Sequence, residues 1–220
     1  MAGVIRPNPT SGMPYVVMDS GVLIANFYKK MMAVTDYAGF IDLYHDEMDT
    51  ENYLGITRGG TSSSLESDER IMEYDGRRVR SVGDSTVDSA NPQISTTLLV
   101  HSVDNLQRVM PMSDVTFENG RYNIKTRLGT PTEADHMDDL CWIREMKGGG
   151  FKIGVLHKAR NTADYSQTGA DRSESEIPVT FTAFAKTWDD TAYAPMEEII
   201  FPHPSQLDPE IPETPSLSTP

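Results

Sequence analysis

The stretch VTFENGRYNIKTRL, residues 115–128, sets an apolar–polar alternation on either side of Asn119-Gly120. Alternation with a period of two belongs to half-buried strands, and Asn-Gly suits a type I′ turn, so this stretch predicts a tight β-hairpin. The pattern recurs. DLCWIREMKGGGFKIGVLHK repeats it around Gly148, Gly149 and Gly150, and EIPVTFTAFAKTW sets Val179, Phe181, Ala183 and Ala185 against Thr180, Thr182, Phe184 and Lys186. VVMDSGVLIANF reads as a first strand and MEEIIF as a last one. Many short strands punctuated by turn residues predict a mainly β chain, a sandwich or barrel.

One helix stands out. After the β-branched run ISTTLLV, Ser102 fits an N-cap and VDNLQRVM places Val103, Leu106, Val109 and Met110 on one helical face. The helix is expected to stop at Pro111. Residues 29–52, containing KKMMAVTDYAGFIDLYHDEMDTEN, allow either a short helix or an inserted loop. YLGIT reads as a short strand closed by a Gly59-Gly60 turn, and DGRRVRSVGDSTVDSANP as a long loop over 75–91. The first fifteen residues, with three prolines, read as an arm, and residues 16–201 as one domain. The segment 202–220 is rich in proline and acid with little to bury, so it is expected to take an ordered path only against a neighbour.

A chain of 220 residues can bury a self-sufficient core. Its single cysteine, Cys141, excludes an internal disulfide and points to a reducing compartment. No secretory leader or membrane span is read from it, so no membrane partner is expected. With 19 basic against 33 acidic residues the net charge is −14. That balance argues against a conventional nucleic-acid binder, whose affinity comes from Lys and Arg neutralising phosphates.

Catalytic patterns do not emerge. The chain holds no G-x-S-x-G elbow, no phosphate-cradling G-x-x-x-x-G-K-[ST] and no H-E-x-x-H pair. The acids Asp42, Asp46, Glu47, Asp49 and Glu51 with His45, and Glu133, Asp135, Asp138 and Asp139 with His136, have oxygen-ligand chemistry but not calcium-loop spacing. The expectation is a non-enzymatic chain without a cofactor; a metal-dependent hydrolase built on the 42–51 cluster is the outlying alternative. A proline-free polar β segment between Tyr53 and Tyr74 remains, an edge liability unless something pairs it.

The order of these motifs carries a resemblance. LGITRGGTSSSLESDERIMEYDG (L-G-x-T-x-G-G running into a polar strand), then ISTTLLVHSVDNLQRVM, then the glycine-rich hairpin, ARNT turn, FTA strand and PME strand of the C-terminal part resemble the major tail tube proteins of long-tailed, non-contractile (siphovirus-type) phages and related tailed viruses. The resemblance spans about residues 16–201. It implies a β-sandwich with one short flanking helix and extended terminal arms, assembled as hexameric rings that stack into a tube in the virion tail, built in the host cytoplasm. It also implies a tape measure protein inside during assembly, tail-tip and tail-terminator proteins at the ends, and transient passage of genomic DNA. On that resemblance, Arg77, Arg78, Arg80 and Asp84 are candidate inter-ring contacts, and Glu66, Asp68 and Glu73 candidate lumen acids that keep DNA mobile. Two features depart from the family pattern: the length of 29–52, expected as a surface excursion, and the tail beyond Phe201. The alternative is a monomeric β-sandwich decoration or adhesion module.

Overall fold

The computed structural model describes residues 17, 21–72, 84–99, 102–110, 112–169, 174–185 and 195–204. Antiparallel β-sheets dominate, with a few short helices. The first sheet orders β1 (Val22–Ala25), β6 (Asp139–Glu145), β7 (Gly150–His157) and β10 (Met196–Pro202). The second orders β2 (Thr57–Ile71), β3 (Ser85–Leu98), β9 (Ile177–Thr182) and β8 (Arg160–Asn161). The hairpin β4 (Ser113–Glu118) and β5 (Arg121–Thr126) forms a two-stranded sheet of its own. Asn119 and Gly120 both take positive φ, 53° and 74°, as the expected Asn-Gly turn requires.

Side-chain alternation divides the core in two. Leu23, Ala25, Leu140, Trp142 and Leu156 of the first sheet pack with Ile94, Leu98, Ile177, Val179 and Phe181 of the second. The opposite face of the first sheet, with Ile24, Cys141, Ile143, Ile153 and Val155, packs under Phe27, Met31 and Phe40. Strand β6 is therefore buried on both faces, which accounts for its unbroken apolar run Leu-Cys-Trp-Ile. Burial and the neighbouring Asp139 push the Cys141 thiol far above its ordinary range, so it remains a packed, protonated side chain.

Here the structure revises the sequence reading. Of the two readings of residues 29–52, helix is the one seen: most of them lie in helices α1 (Tyr28–Met32) and α2 (Tyr37–Met48), which pack over that second face rather than standing off it as an excursion. The expectation of a single flanking helix accounts only for α3 (Val103–Val109). Helix α1 is tied to the sheet by Asp139, whose carboxylate accepts from the amides of Phe27 (2.7 Å) and Tyr28 (2.9 Å). Asp36 caps α2 by accepting from the Gly39 amide, and Glu47 ties α2 to α1 through Lys30. Ser102 caps α3 as expected, accepting from Asn105 at 3.2 Å. Asn105 is the helix residue the sequence concealed: it is buried and donates to the carbonyls of Tyr53 and Leu54. Among the described residues no helix is long and apolar enough to cross a membrane.

Candidate assembly surface

Strand β2 runs for 15 residues at the edge of its sheet, and among the described residues β3 is its only strand partner. On the other side of β3, β9 pairs only Gln93 to Leu98. Leu65–Ile71 and Ser85–Pro92 therefore continue as a two-stranded ribbon beyond the sheet, ~20 Å long at the usual rise per residue. Pro92 fits at that junction, where its missing N–H removes nothing from β9 and its carbonyl accepts from Ala183. Residues 85–91, expected as the end of a long loop, are strand; only the remainder of that loop stays open, because 73–83 lie outside the described residues.

Gly59-Gly60 is likewise no chain-reversing turn. Between the pairs Arg58↔Thr97 and Ser62↔Ser95 the β2 chain carries two extra residues, and both glycines take positive φ, 78° and 87°. Buried Thr96 is satisfied at this bulge, accepting from the Thr61 hydroxyl (3.0 Å) and donating to the Gly60 carbonyl (3.2 Å). Because two residues are inserted rather than one, alternation resumes in phase and β2 keeps the same face outward.

That outward face is polar. Ser62, Ser64, Glu66 and Asp68 stand opposite Ser95, Gln93, Asn91 and Ser89. The hydroxyl array continues across the sheet through Ser95 and Thr180 (3.0 Å) and through Thr162 and Thr182 (2.7 Å). Arg58 is held by Glu176 and Glu174, each at 2.7 Å, which neutralises it. Glu66 and Asp68 thus share one exposed face, as two candidate lumen acids must. The reverse face of the ribbon carries Leu65, 54% exposed, and, beyond a second bulge at Asp88, Val87 is 60% exposed. Of the other candidates, Asp84 lies at the root of β3, where its carbonyl accepts from the Met72 amide (2.8 Å). Glu73, Arg77, Arg78 and Arg80 lie outside the described residues.

Several members of the two acidic clusters are structural attachments in this fold. Glu47 is bound by Lys30, Asn52 and Thr50; burial opposes its ionisation, but these partners outweigh it and hold the carboxyl below its ordinary range. Asp135 accepts from the Thr132 amide (2.6 Å) and hydroxyl (2.8 Å) and pairs with Arg127, which also lowers it. Lys158 bridges Glu133 and Asp138 at the rim of a cleft of about 670 Å³ beside α3. Among the described residues no three His, Cys, Asp or Glu side chains converge as a metal site would require.

No protein-family model matches this sequence, and no curated protein matches it significantly.

Proposed function

We propose that this chain is a tail tube subunit: a β-sandwich that polymerises as stacked hexameric rings into a hollow tube conducting DNA. The observation that carries the reading is the edge of β2, which no other strand pairs among the described residues, together with the ribbon that outruns its own sheet. Edge amides and carbonyls of such length are a standing template for another strand, and natural chains blunt or pair them. Here no proline interrupts the described part of the edge. Closing the edges between copies around a ring removes the liability, and ring-to-ring contacts of heterologous type extend it into a tube.

The polar face supports the same reading. If the outward face of the second sheet lines the channel, Glu66 and Asp68 repeat around every ring within a wall of serine and threonine hydroxyls. The net charge of −14 per copy adds to that field. Phosphates meeting such a wall release no counterions to it, so DNA slides rather than binds. Tape measure protein would occupy the channel during assembly, with tail-tip and terminator proteins closing the ends.

Electron microscopy of concentrated full-length protein tests the proposal, alone and with Leu65→Pro, which removes an outward edge donor, since its cross-strand partner Pro92 turns its carbonyl away to Ala183. Rings or hollow tubes from the parent chain and none from the variant are expected. A parent chain that stays monomeric at every concentration and with tail-tip seeds overturns the proposal and leaves the monomeric decoration module as the reading.

A further inference from the structure

The cleft beside α3 is built from strand ends that turn sharply. Among the described residues four non-glycine residues take positive φ, and three of them line this cleft. They are Asn26 (55°), just past β1, Met112 (51°), just before β4, and Lys158 (46°), just past β7. The left-handed region disfavours residues such as methionine and lysine, so neighbours must hold them there. The Asn26 side chain accepts from the Asp138 amide (3.0 Å), and the Met112 carbonyl accepts from the Arg127 amide (2.7 Å). The Lys158 amide donates to the Asp138 carbonyl (2.9 Å). Backbone strain of this kind clusters at ligand sites.

The charges on the cleft wall are unevenly matched. Its carboxylates Glu133, Asp135 and Asp138 are each engaged by Lys158 or Arg127. Its arginines are not. Arg108 donates to the Glu51 carbonyl and the Asn52 side chain, both neutral, and burial lowers its pKa against the pull of Asp104 and Glu51. The Arg160 guanidinium lies 5.1 Å from the centre of the Phe184 ring, and its Nε is buried without a hydrogen bond. Neither arginine makes an ion pair among the described residues, although acids outnumber bases 33 to 19 in the chain. A desolvated guanidinium is costly unless an acceptor meets it, and its planar fork suits an oxyanion. The net charge of −14 repels a bare anion, so an apolar body must supply the rest of the affinity. Met110, Met112 and Met137 line the same cleft, and thioethers adapt to a ligand's shape and favour aromatic rings. The volume of about 670 Å³ suits a small molecule. We propose that this cleft binds a small aromatic oxyanion, an aryl carboxylate or phosphate, with its charged group on Arg160 and its ring on the methionines. Arg108 adds to the positive field that such a group meets.

This site does not depend on whether copies of the chain assemble. The probe is anilinonaphthalene sulfonate, an aromatic oxyanion, titrated onto the full-length chain by fluorescence, with stoichiometry from equilibrium dialysis. One saturable site per chain is expected. Arg160→Gln should weaken it about ten-fold or more, whereas Arg121→Gln, the same loss of charge on the β4–β5 hairpin, should leave it unchanged. Phe117→Ser with Tyr122→Ser should also leave it unchanged, which separates the cleft from the exposed aromatic pair of the hairpin. Met110→Glu sets a carboxylate among the methionines while keeping both arginines; it should weaken the probe too, and it decides the matter if Arg160→Gln does not fold. Binding of phenylnaphthylamine, the uncharged analogue, should not respond to Arg160→Gln. Displacement of the probe by naphthoate alone identifies a carboxylate ligand, by naphthyl phosphate alone a phosphate, and by both the oxyanion as such. Four results each overturn the proposal: no saturable site, binding that Arg160→Gln or Met110→Glu leaves intact, binding lost with the hairpin substitutions, or displacement by neither competitor.

Discussion

Replacing Phe40 with Ala tests whether the helices covering the first sheet belong to the same cooperative unit as the strands. Phe40 is fully buried, and its ring lies 4.6 Å from Phe201, 5.0 Å from Phe151, 6.1 Å from Phe27 and 6.4 Å from Tyr44, centroid to centroid. Those partners come from β10, β7, the loop before α1, and α2 itself, so one side chain joins the helical layer to two strands. Truncating a buried phenylalanine costs roughly 3–5 kcal/mol, the lost transfer energy plus the residual cavity. For a chain of this size that corresponds to a fall of roughly 6–20 °C in melting temperature. Met32→Ala on neighbouring α1, at a side chain 57% exposed, is the control and should move stability by no more than about 0.5 kcal/mol. Urea unfolding followed by both tryptophan fluorescence and circular dichroism reads the result. A loss below about 1 kcal/mol, or an early helical transition that leaves the sheet transition in place, would refute the claim that residues 29–52 are integral to the fold.

Two further substitutions follow from the geometry. Gly150 takes φ of 86°, and a Cβ there would sit 2.4 Å from the Phe201 carbonyl oxygen and 2.7 Å from the His203 amide nitrogen. Gly150→Ala should therefore cost roughly 2–4 kcal/mol in urea midpoint experiments, combining left-handed strain with a clash against β10 backbone. Gly59→Ala, whose Cβ meets nothing within 4 Å, should cost only about 1–2 kcal/mol from φ alone; equal losses would show that the contact with β10 is not restrictive. For pH, the Asp135 carboxyl is held low first by the Thr132 amide, then by the Thr132 hydroxyl and Arg127. A lowered folded-state pKa contributes stability above the unfolded value near ~3.9, and that stability is lost as pH falls through the folded value. Asp135→Asn should thus be about 1 kcal/mol less stable at pH 7, the deficit shrinking below about pH 4; a deficit independent of pH would mean that charge is not the cause.

Where a feature was local, the sequence displayed it. Asn119-Gly120 dictates its hairpin because both residues tolerate positive φ, and Ser102 marks the start of α3 because its hydroxyl satisfies an otherwise orphan amide. The alternation of Val179 and Phe181 against Thr180 exposes a half-buried strand to inspection. Helix α2 also left a signal, Asp36 as cap followed by Phe40, Leu43 and Tyr44 at helical spacing, but the acids around it made that stretch resemble solvated loop. On the candidate assembly surface, the sequence showed a long polar β segment and its acids. That Glu66 and Asp68 share a face follows from their spacing of two; the sequence did not show that this is also the face of Arg58, since that depends on the number of residues in the Gly59-Gly60 bulge.

The chain alone therefore determined its period-two segments, its tight turn, its capped helix and its charge, all of which arise from interactions within a few residues. Tertiary structure alone decided that β6 is covered on both faces, that β3 reaches back to Ser85, and that a double glycine bends an edge without reversing it. Those outcomes depend on which distant strand lies alongside. Strand pairing is a long-range choice made by backbone hydrogen bonds that nearly every residue can offer, so side-chain order leaves it open until the layers pack.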